Sequence, residues 1–421
     1  MKNSFKAYFI CFIGALFYCF DYFVQVTPTV LAHSLTARFN LVPSQLGVLG
    51  TCFFIPYCIM QLPAGLLLSR YGIKRCLCCA ALLSAIALQM FSFSDSFMTT
   101  CIARGILGGC AAFSFISSVS LIYQWCSPRL FPVLTGAVQL SATIGSIIGL
   151  APISRCVNTW GWKDTIELMS CFALVLTLLY LFFLQDKSSF SPTPSHTKKN
   201  VLATFSRYKN SLWAVYTIGF ISWMPISGIG ALWCVPYLIK ARHISNVVAC
   251  HFCSYIWIGL GCGSLLVGAV SEKLKSRIKP VVFCYLVGII GSIALLRATT
   301  LSNATLISAL LLIGVSASNQ SLSFSFIRDT AHPDDFPTLS AFNNMAAILG
   351  GATAQFMMGC FIHAQQTLSI SRDMVTTYQH AFLIIPFSEI LGLSLTLIFI
   401  TETYPKLRDQ SPRIKVHESH N

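Results

Sequence analysis

Long apolar runs separated by short polar connections make up almost the whole chain. Each run holds roughly 20 residues, the length at which a helix rising ~1.5 Å per residue crosses a ~30 Å hydrocarbon core. Strand-like alternation of apolar and polar positions is absent, and a helix satisfies its own backbone groups in lipid. The pattern therefore predicts an all-α integral membrane protein with twelve transmembrane helices. The predicted spans cover residues 7–31, 45–69, 76–94, 98–123, 132–154, 164–185, 212–239, 247–271, 280–297, 302–327, 338–363 and 380–401.

Composition supports this reading and excludes an ordinary soluble protein. Charged residues make up 10% of the chain against about a quarter in a typical globular domain. The net charge of +14 does not indicate nucleic-acid binding, because the basic residues lie in the connections between apolar runs. Of the 28 Lys and Arg residues, 20 fall on the side of the chain termini, seven on the other side, and Arg104 within a span. The positive-inside rule then predicts that both termini are cytoplasmic.

The 18 cysteines predict neither a metal centre nor a disulfide framework. Most of them stand inside apolar runs, where cysteine behaves as a small hydrophobic residue. Cys76, Cys78 and Cys79 lack the paired spacing and the histidine partners of a zinc site. We expect no metal and no cofactor.

One connection differs from the others and divides the chain. Residues 186–210 begin QDKSSFSPTPSHTKKN, a Ser, Thr, Pro and Lys composition typical of a flexible linker. We therefore predict a six-helix bundle over 1–185, a cytoplasmic linker over 186–210, a second six-helix bundle over 211–401 and a cytoplasmic tail over 402–421. No connection is long enough for a soluble catalytic domain, and no G-x-x-x-x-G-K-[ST] motif is present. The chain is not expected to be an enzyme, and any energy for its work would come from a gradient.

The two predicted bundles carry related sequences. GLLLSRYGIKR follows the second span and GAVSEKLKSRIK follows the eighth, each with a glycine first and a basic residue five positions later. Duplicated six-helix units are a recurrent design among secondary transporters.

The chain resembles the major facilitator superfamily at these same motifs. GLLLSRYGIKR is similar to the superfamily signature G-x-L-x-D-R-x-G-x-[KR]-[KR], except that Ser69 stands in place of the usual acid. The resemblance implies that such loops gate the two halves, and the second copy keeps an acid, Glu272. The gating-loop residues that it implies are Gly65, Arg70, Gly72, Arg75, Gly268, Glu272 and Lys273. The fifth span also carries Gly136, Gly145 and Gly149 at the spacing of a motif associated with antiporters, although the same spacing serves plain helix packing.

Within the superfamily, three stretches resemble a bacterial branch related to the lysosomal dipeptide transporter and to organic-anion symporters. They are DYFVQVTPTVL, GIGALWCVPYL and SAFNNMAAILGG. Anion carriers often have an arginine near the position of Gln25, and this chain lacks it. The resemblance implies a multi-pass protein of a bacterial inner membrane that is a monomer and does not bind nucleic acid.

Two ionisable residues inside the spans are the leading functional candidates. Asp21 lies about 14 residues into the first span and Arg104 about six residues into the antiparallel fourth, so their depths coincide at ~1.5 Å per residue. We hypothesise that they interact, to bind substrate charges or to exchange a proton; the alternative is a static structural ion pair. Glu389 in the twelfth span is compatible with interhelical hydrogen bonding and with proton coupling.

Polar amides and aromatic residues on the cavity-lining helices complete the candidate set. Amides donate and accept hydrogen bonds at once, which suits polar ligands, although they also join helices in lipid. The candidate residues for substrate and coupling are Asp21, Gln25, Arg104, Gln139, Asn319, Asn343 and Trp233, with Gln320 and Trp223 on the same helices.

The sequence as a whole predicts a gradient-driven carrier of a small polar metabolite. A dipeptide or an amino acid ranks ahead of an organic anion, and protons are a candidate coupling ion. The alternatives are a drug or metabolite efflux antiporter and a membrane receptor that uses the same scaffold without transport. The expected partners are the small-molecule substrate and the lipid bilayer.

Overall fold

Helices dominate the part of the chain that the computed structural model describes, which is residues 2–126, 131–186, 201–332, 335–368 and 373–403. Twelve helices in these ranges are long and apolar enough to cross a membrane. No strand occurs in them, so the predicted all-α membrane fold is confirmed. In chain order the spans are formed by Lys2–Gln25 with Thr27–Phe39, Pro43–Tyr71, Ile73–Ser92, Phe97–Ala111 with Ser114–Trp125, Phe131–Trp160, Trp162–Phe183, Val201–Arg242, Asn246–Leu274, Ile278–Leu295, Asn303–Ser316 with Asn319–Thr330, Phe336–Thr367, and Met374–Phe382 with Ile384–Phe399.

Spans 1, 4, 7 and 10 are interrupted, as is the twelfth at Leu383. The first breaks at Val26, the fourth at Ala112 and Phe113, and the tenth at Ala317 and Ser318. The seventh widens into a π-helix over Pro225–Trp233 between two α-helical parts. Such irregularities are tolerated at membrane depth where they are buried in protein or border a cavity. The interruptions therefore mark the helices around which a cavity is expected.

The two halves are built alike. In the first half, span 1 packs on span 5, span 2 on span 4, and span 3 on span 6; in the second, span 7 packs on span 11, span 8 on span 10, and span 9 on span 12. Residues with positive φ recur at matching positions, with Asn40 and His243 ending the first and seventh spans. Gly72 and Lys275 also have positive φ, in the two related loops. The repeat seen in the sequence is thus a repeat of structure.

Glycines at equivalent positions allow the closest helix contacts in each half. Gly108 lies against the Phe53 carbonyl as Gly314 lies against that of Ile256. Gly145 likewise approaches the backbone of the first span, and Gly350 that of the seventh. A side chain at any of these four positions would meet backbone atoms, so small residues are required there. The spacing of Gly145 and Gly149 therefore serves helix packing in this structure.

The two bundles meet along spans 2 and 11, spans 5 and 8, and spans 1 and 7. We call the side on which Phe5 begins the first span and Phe399 ends the last the terminal side, and the opposite one the far side. The helix of the seventh span begins at Val201, inside the segment predicted as linker. The rest of that linker, residues 187–200, and the predicted tail from residue 404 lie outside the described residues.

Candidate substrate cavity

A cavity of about 430 Å³ lies between the two halves, in their terminal-side part. Its lining comes from both bundles and combines aromatic rings with amides and hydroxyls. No charged residue is among the described residues that line it. They are Tyr22, Phe115, Val119, Gln139, Leu140, Ala142, Thr143, Trp223, Leu260, Gly261, Ser264, Leu265, Ala317, Gln320, Ser321, Phe324 and Ser340.

The tenth span brings polar groups to this cavity at its break. Ala317 at the break and Gln320 and Ser321 just beyond it line the cavity. Asn319, between them, is fully buried, and neither its amide oxygen nor its amide nitrogen has a hydrogen-bond partner among the described residues. The Gln320 Nε2 also has none, although its Oε1 lies 3.4 Å from the Ser222 hydroxyl. Buried amides normally find partners, so this cluster is equipped to bind something else.

Asn343 on the eleventh span belongs to the same cluster but is partly satisfied. Its Nδ2 donates to the Ser323 hydroxyl at 2.7 Å, while its Oδ1 makes no hydrogen bond in the described structure. Ser340, one turn earlier, lines the cavity, and its hydroxyl is also unpaired among the described residues.

Gln139 provides the amide of the first half. It is exposed to the cavity, and its Oε1 accepts a 2.8 Å hydrogen bond from the Tyr18 hydroxyl. Tyr18 in turn lies 3.3 Å from the hydroxyl of Tyr22, which lines the cavity. A short chain of hydroxyls thus holds Gln139 in place.

Asp21 lies beside this chain of hydroxyls and is 4% exposed. One of its oxygens accepts a 2.8 Å hydrogen bond from the hydroxyl of Ser114, the first residue after the break in the fourth span. The other oxygen has no partner among the described residues. Ser114 was not among the predicted residues, because nothing in the sequence marks the break that turns it toward the first span.

Arg104 is also buried but bonds elsewhere. It donates to the Val24 carbonyl at 3.1 Å, and its guanidinium lies 4.6 Å from the centre of the Phe53 ring. No ion pair within 4.0 Å joins it to Asp21 in the described structure. The hypothesised direct contact between the two side chains is therefore not made here. Both are nevertheless tied to the first span, because Asp21 belongs to it and Arg104 donates to its backbone.

On the far side the halves close on each other. The Thr29 hydroxyl donates to the Leu232 carbonyl at 2.8 Å, and Asn246 Nδ2 donates to the Val30 carbonyl at 3.1 Å. Close glycine packing joins spans 2 and 11 at Gly47 and Gly359. The structure thus has a terminal-side cavity and a sealed far side.

Trp233 and Gln25 lie near this seal and not in the cavity lining. Trp233 Nε1 donates to the Gln355 carbonyl at 3.2 Å, and Gln355 Nε2 donates to the Ser227 carbonyl at 2.9 Å. Gln25 is buried at the end of the first helix, next to the break at Val26. Gln355 was not among the predicted residues, although an amide in the eleventh span is a signal that could have found it.

Comparison with known proteins decides the family. The model of the Major Facilitator Superfamily matches residues 11–355. The chain belongs to the major facilitator superfamily. The resemblance predicted from its motifs is confirmed, and the protein is a membrane transporter of this superfamily with twelve spans.

Curated superfamily relatives resemble the chain over most of its length at low identity. It is 22% identical to the probable sulfoacetate transporter SauU of Cupriavidus necator, over 78% of the chain and 79% of that protein. It is 20% identical to a probable hexose phosphate transport protein of Chlamydia trachomatis, over 68% of the chain and 69% of that protein.

Solved superfamily structures share the fold. A bacterial homologue of the human lysosomal transporter spinster, inward-facing and unoccupied, gives a TM-score of 0.76 at 13% identity, covering 93% of the chain and 96% of that structure. The nucleoside transporter NupG gives a TM-score of 0.73 at 14% identity, covering 94% of the chain and 98% of that structure.

The superfamily loop of the first half is held by a residue outside its motif. Gly72 has φ +84°, and the Asp186 carboxylate occupies the space beside it. Asp186 accepts hydrogen bonds from the backbone N–H groups of Ile73 and Lys74 at 3.0 and 3.1 Å. A carboxylate at a helix N-terminus satisfies unpaired donors and complements the helix dipole. Arg70 and Arg75 remain exposed, with Arg70 over the Tyr71 ring.

The second loop uses the same device and adds an ion-pair network. Glu402, at the end of the twelfth span, accepts from the Arg277 N–H at 2.8 Å, as Asp186 does in the first half. The buried Arg277 side chain also binds Asp329 at 2.8 Å and Glu272 at 2.9 Å. Gly65 and Gly268 have open space where a Cβ would stand, and Lys273 is exposed. Glu272 thus bonds within its own half in this structure.

Proposed function

We propose that the protein is a secondary active transporter that moves a small polar metabolite of no net charge by alternating access. The observation that carries the proposal is the uncharged cavity, lined by both halves and bordered by unpaired amides. Its position between the two bundles suits a mechanism in which the halves rock about a central site. The sealed far side corresponds to one end of such a cycle.

The lining favours neutral or zwitterionic substrates over anions. A charged ligand that leaves water needs a partner charge to offset its desolvation, and the described lining residues supply none. The amides of Gln139 and Gln320 offer donors and acceptors together, and Trp223 and Phe324 offer ring faces. Amino acids and dipeptides therefore rank ahead of organic anions.

Organic anions remain the second candidate because the relatives are named for them. The names of the matched proteins include sulfoacetate and hexose phosphate. Arg104 is our candidate partner for the charge of such a ligand. It is buried against the first span, but it does not line the cavity.

Asp21 is our candidate for proton coupling. It is buried within a span, one residue from the cavity-lining Tyr22, and only one of its oxygens is hydrogen-bonded. Ionisable groups at such positions are functional by default. Because Asp21 adjoins Tyr22 on the first span, a change in the charge of Asp21 would act directly on the cavity lining.

The test is uptake into proteoliposomes of an amino-acid, dipeptide and organic-anion panel, with and without an imposed pH gradient. Accumulation of net-neutral solutes only under the gradient would support the proposal. Asp21→Asn should then sharply reduce accumulation but preserve exchange of labelled for unlabelled solute, whereas Glu167→Gln, at the far-side end of the sixth span, should change neither.

Other outcomes would favour the alternatives. Anion uptake would contradict the substrate class, and gradient-independent equilibration would remove Asp21 as a proton carrier. If folded protein takes up none of these solutes, efflux or a receptor role would be favoured. Inverting the pH gradient would test for efflux.

A further inference from the structure

A second buried carboxyl lies outside the cavity lining, in the twelfth span. Glu389 is 1% exposed and stands near the middle of Met374–Phe399. Its helix packs against the ninth span and against Val201–Met224 of the seventh. Glu389 does not line the cavity, so it has no part in the substrate site described above.

The surroundings of Glu389 are built to hold a carboxyl group. The Ser292 hydroxyl donates to its Oε2 at 3.4 Å. The Glu389 Oε1 occupies the space beside Gly288 in which a Cβ would stand. Ser316 borders the same space, because its Cβ would lie 2.5 Å from a Cβ at Gly288. One helical turn along, the fully buried Tyr285 hydroxyl packs against Gly392 and has no hydrogen-bond partner among the described residues. Two serine hydroxyls and a glycine from two neighbouring spans thus border the carboxyl, and the Tyr285 hydroxyl lies one turn away.

No cation among the described residues compensates this carboxyl. The titratable groups that face it are the Cys284 thiol and the Tyr285 phenol of the ninth span, while the tenth span contributes Ser316. No Lys, Arg or His of the described structure pairs with it. An unpaired carboxylate inside a membrane costs several kcal/mol, so the group must hold a proton or a bound cation. A divalent cation such as Ca²⁺ requires six or more oxygens, more than the carboxyl and the neighbouring hydroxyls provide, so we favour the proton as the occupant.

The position of Glu389 links it to the cavity. Ser316 is the last residue of the helix Asn303–Ser316, and the next residue, Ala317, lines the cavity at the break of the tenth span. In the first half, Asp21 is hydrogen-bonded to Ser114 at the break of the fourth span, the equivalent helix. Each half therefore places one buried carboxyl beside the interruption of its fourth helix.

We propose that Glu389 is a second proton-binding carboxyl of the transport cycle, and that its protonation sets the geometry of the break in the tenth span. A proton on Glu389 allows it to donate to a neighbouring oxygen at the break; the ionised form must instead draw donors such as Ser292, Ser316 and Tyr285 toward itself. The two states therefore favour different arrangements of the helix that carries Asn319 and Gln320. The inference rests on the proposed function for its role in transport, but not for the existence of the proton site.

The site itself can be tested without a substrate. Dicyclohexylcarbodiimide modifies protonated carboxyl groups in apolar surroundings, and peptide mass spectrometry locates the adduct. We expect Glu389 to be labelled at low pH and progressively less as the pH is raised, with the same profile in sodium and potassium buffers. Labelling that is independent of pH would show a permanently protonated structural residue and overturn the proposal. Protection by sodium would overturn it in favour of a metal-cation site.

The role of Glu389 in the cycle is tested by the proton-to-substrate ratio. This ratio is obtained by imposing a gradient of the solute identified in the uptake panel and finding the opposing pH gradient at which net flux of the solute stops. Glu389→Gln, which keeps the shape and the hydrogen-bonding capacity, should lower the ratio by one and preserve exchange. Glu167→Gln, at a carboxyl near the far-side end of the sixth span, should leave it unchanged. An unchanged ratio in Glu389→Gln would overturn the inference while Asp21-dependent coupling stood. Loss of all uptake by the wild-type protein would instead refute the proposed function, with the labelling result for Glu389 unaffected.

Discussion

At the scale of single residues, Asp21 and Arg104 are two buried ionisable side chains that bind different partners. Counting residues along two antiparallel spans put Asp21 and Arg104 at one level, and both side chains are buried. Their partners are Ser114 and the Val24 carbonyl, because the break after Ala111 rotates the second part of the fourth span relative to the first. Such rotation depends on packing between helices, which no single sequence displays.

Asn319 illustrates a residue kept at a cost to stability. Its buried amide has no partner among the described residues, and an unsatisfied buried polar group costs about 1–3 kcal/mol. We predict that Asn319→Leu raises the free energy of unfolding by about 1 kcal/mol and reduces transport at least tenfold. Thermal unfolding in detergent and proteoliposome uptake would measure the two effects.

Asn343 is the matched control for this prediction. Its Nδ2 does bond, to Ser323 at 2.7 Å, so Asn343→Leu should lower stability by about 1 kcal/mol. Lower stability of Asn319→Leu as well would show that its amide has structural partners.

At the scale of elements, proline alone does not decide where a span is interrupted. Pro225 stands at the start of the π-helix in the seventh span. Pro56 and Pro63, by contrast, lie within the continuous helix Pro43–Tyr71. The breaks at Ala112 and Ala317 involve neither proline nor a required glycine, so they arise from contacts between spans.

The far-side seal should yield to a single added side chain. A Cβ at Gly359 would come within 2.8 Å of the Pro43 carbonyl and 3.1 Å of the Trp233 ring, which lies on the same half. Gly359→Val should therefore separate spans 2 and 11 and shift the protein toward a far-side-open state. The fully buried thiol of Cys250 should then react with maleimide several-fold faster, as followed by peptide mass spectrometry.

Gly65→Val is the control, since nothing lies within 4 Å of a Cβ at that position. It should leave the reactivity of Cys250 unchanged. Equal reactivity in Gly359→Val and the wild type would mean that the seal adapts to the added bulk.

The buried arginine of the second loop should be the strongest single support of that half. Arg277→Ala would leave Asp329, 6% exposed, without its 2.8 Å partner. Removal of one member of a buried pair costs about 3–5 kcal/mol, and we expect a loss of unfolding free energy in that range. Arg328→Ala removes an exposed contact to the same carboxylate at 3.5 Å and should cost under about 1 kcal/mol. Similar losses in the two variants, by thermal unfolding, would contradict this assignment.

At the scale of the whole molecule, the sequence showed the duplicated loops but not the two acidic residues that anchor them. GLLLSRYGIKR and GAVSEKLKSRIK correspond in the structure, down to the positive φ angles of Gly72 and Lys275. The acids that cap the following helices, Asp186 and Glu402, lie more than a hundred residues further along the chain. Pairing over such separation follows from the fold, so it could be recognised only after the six-helix units were assembled.

Orientation in the membrane is a prediction at this scale. The 20-to-7 bias of basic residues predicts that both termini are cytoplasmic. A green fluorescent protein fused after Asn421 should fluoresce, and alkaline phosphatase at the same point should be inactive. The same reporters inserted after His243, on the far side, should give the reverse result. Fluorescence of the far-side fusion would show that the far side is cytoplasmic. The cavity, on the terminal side, would then lie on the outer side of the membrane.

The proposed transport of a net-neutral solute, based on a lining whose described residues carry no charge, has an electrical consequence. A solute of no net charge adds nothing to the charge that crosses the bilayer, so each coupled proton moves as an uncompensated elementary charge. A membrane potential of 100 mV then supplies about 2.3 kcal/mol per proton, which corresponds to about fifty-fold accumulation. The protein would concentrate its substrate at equal pH on both sides, driven by voltage alone, and its turnover would register as an electric current.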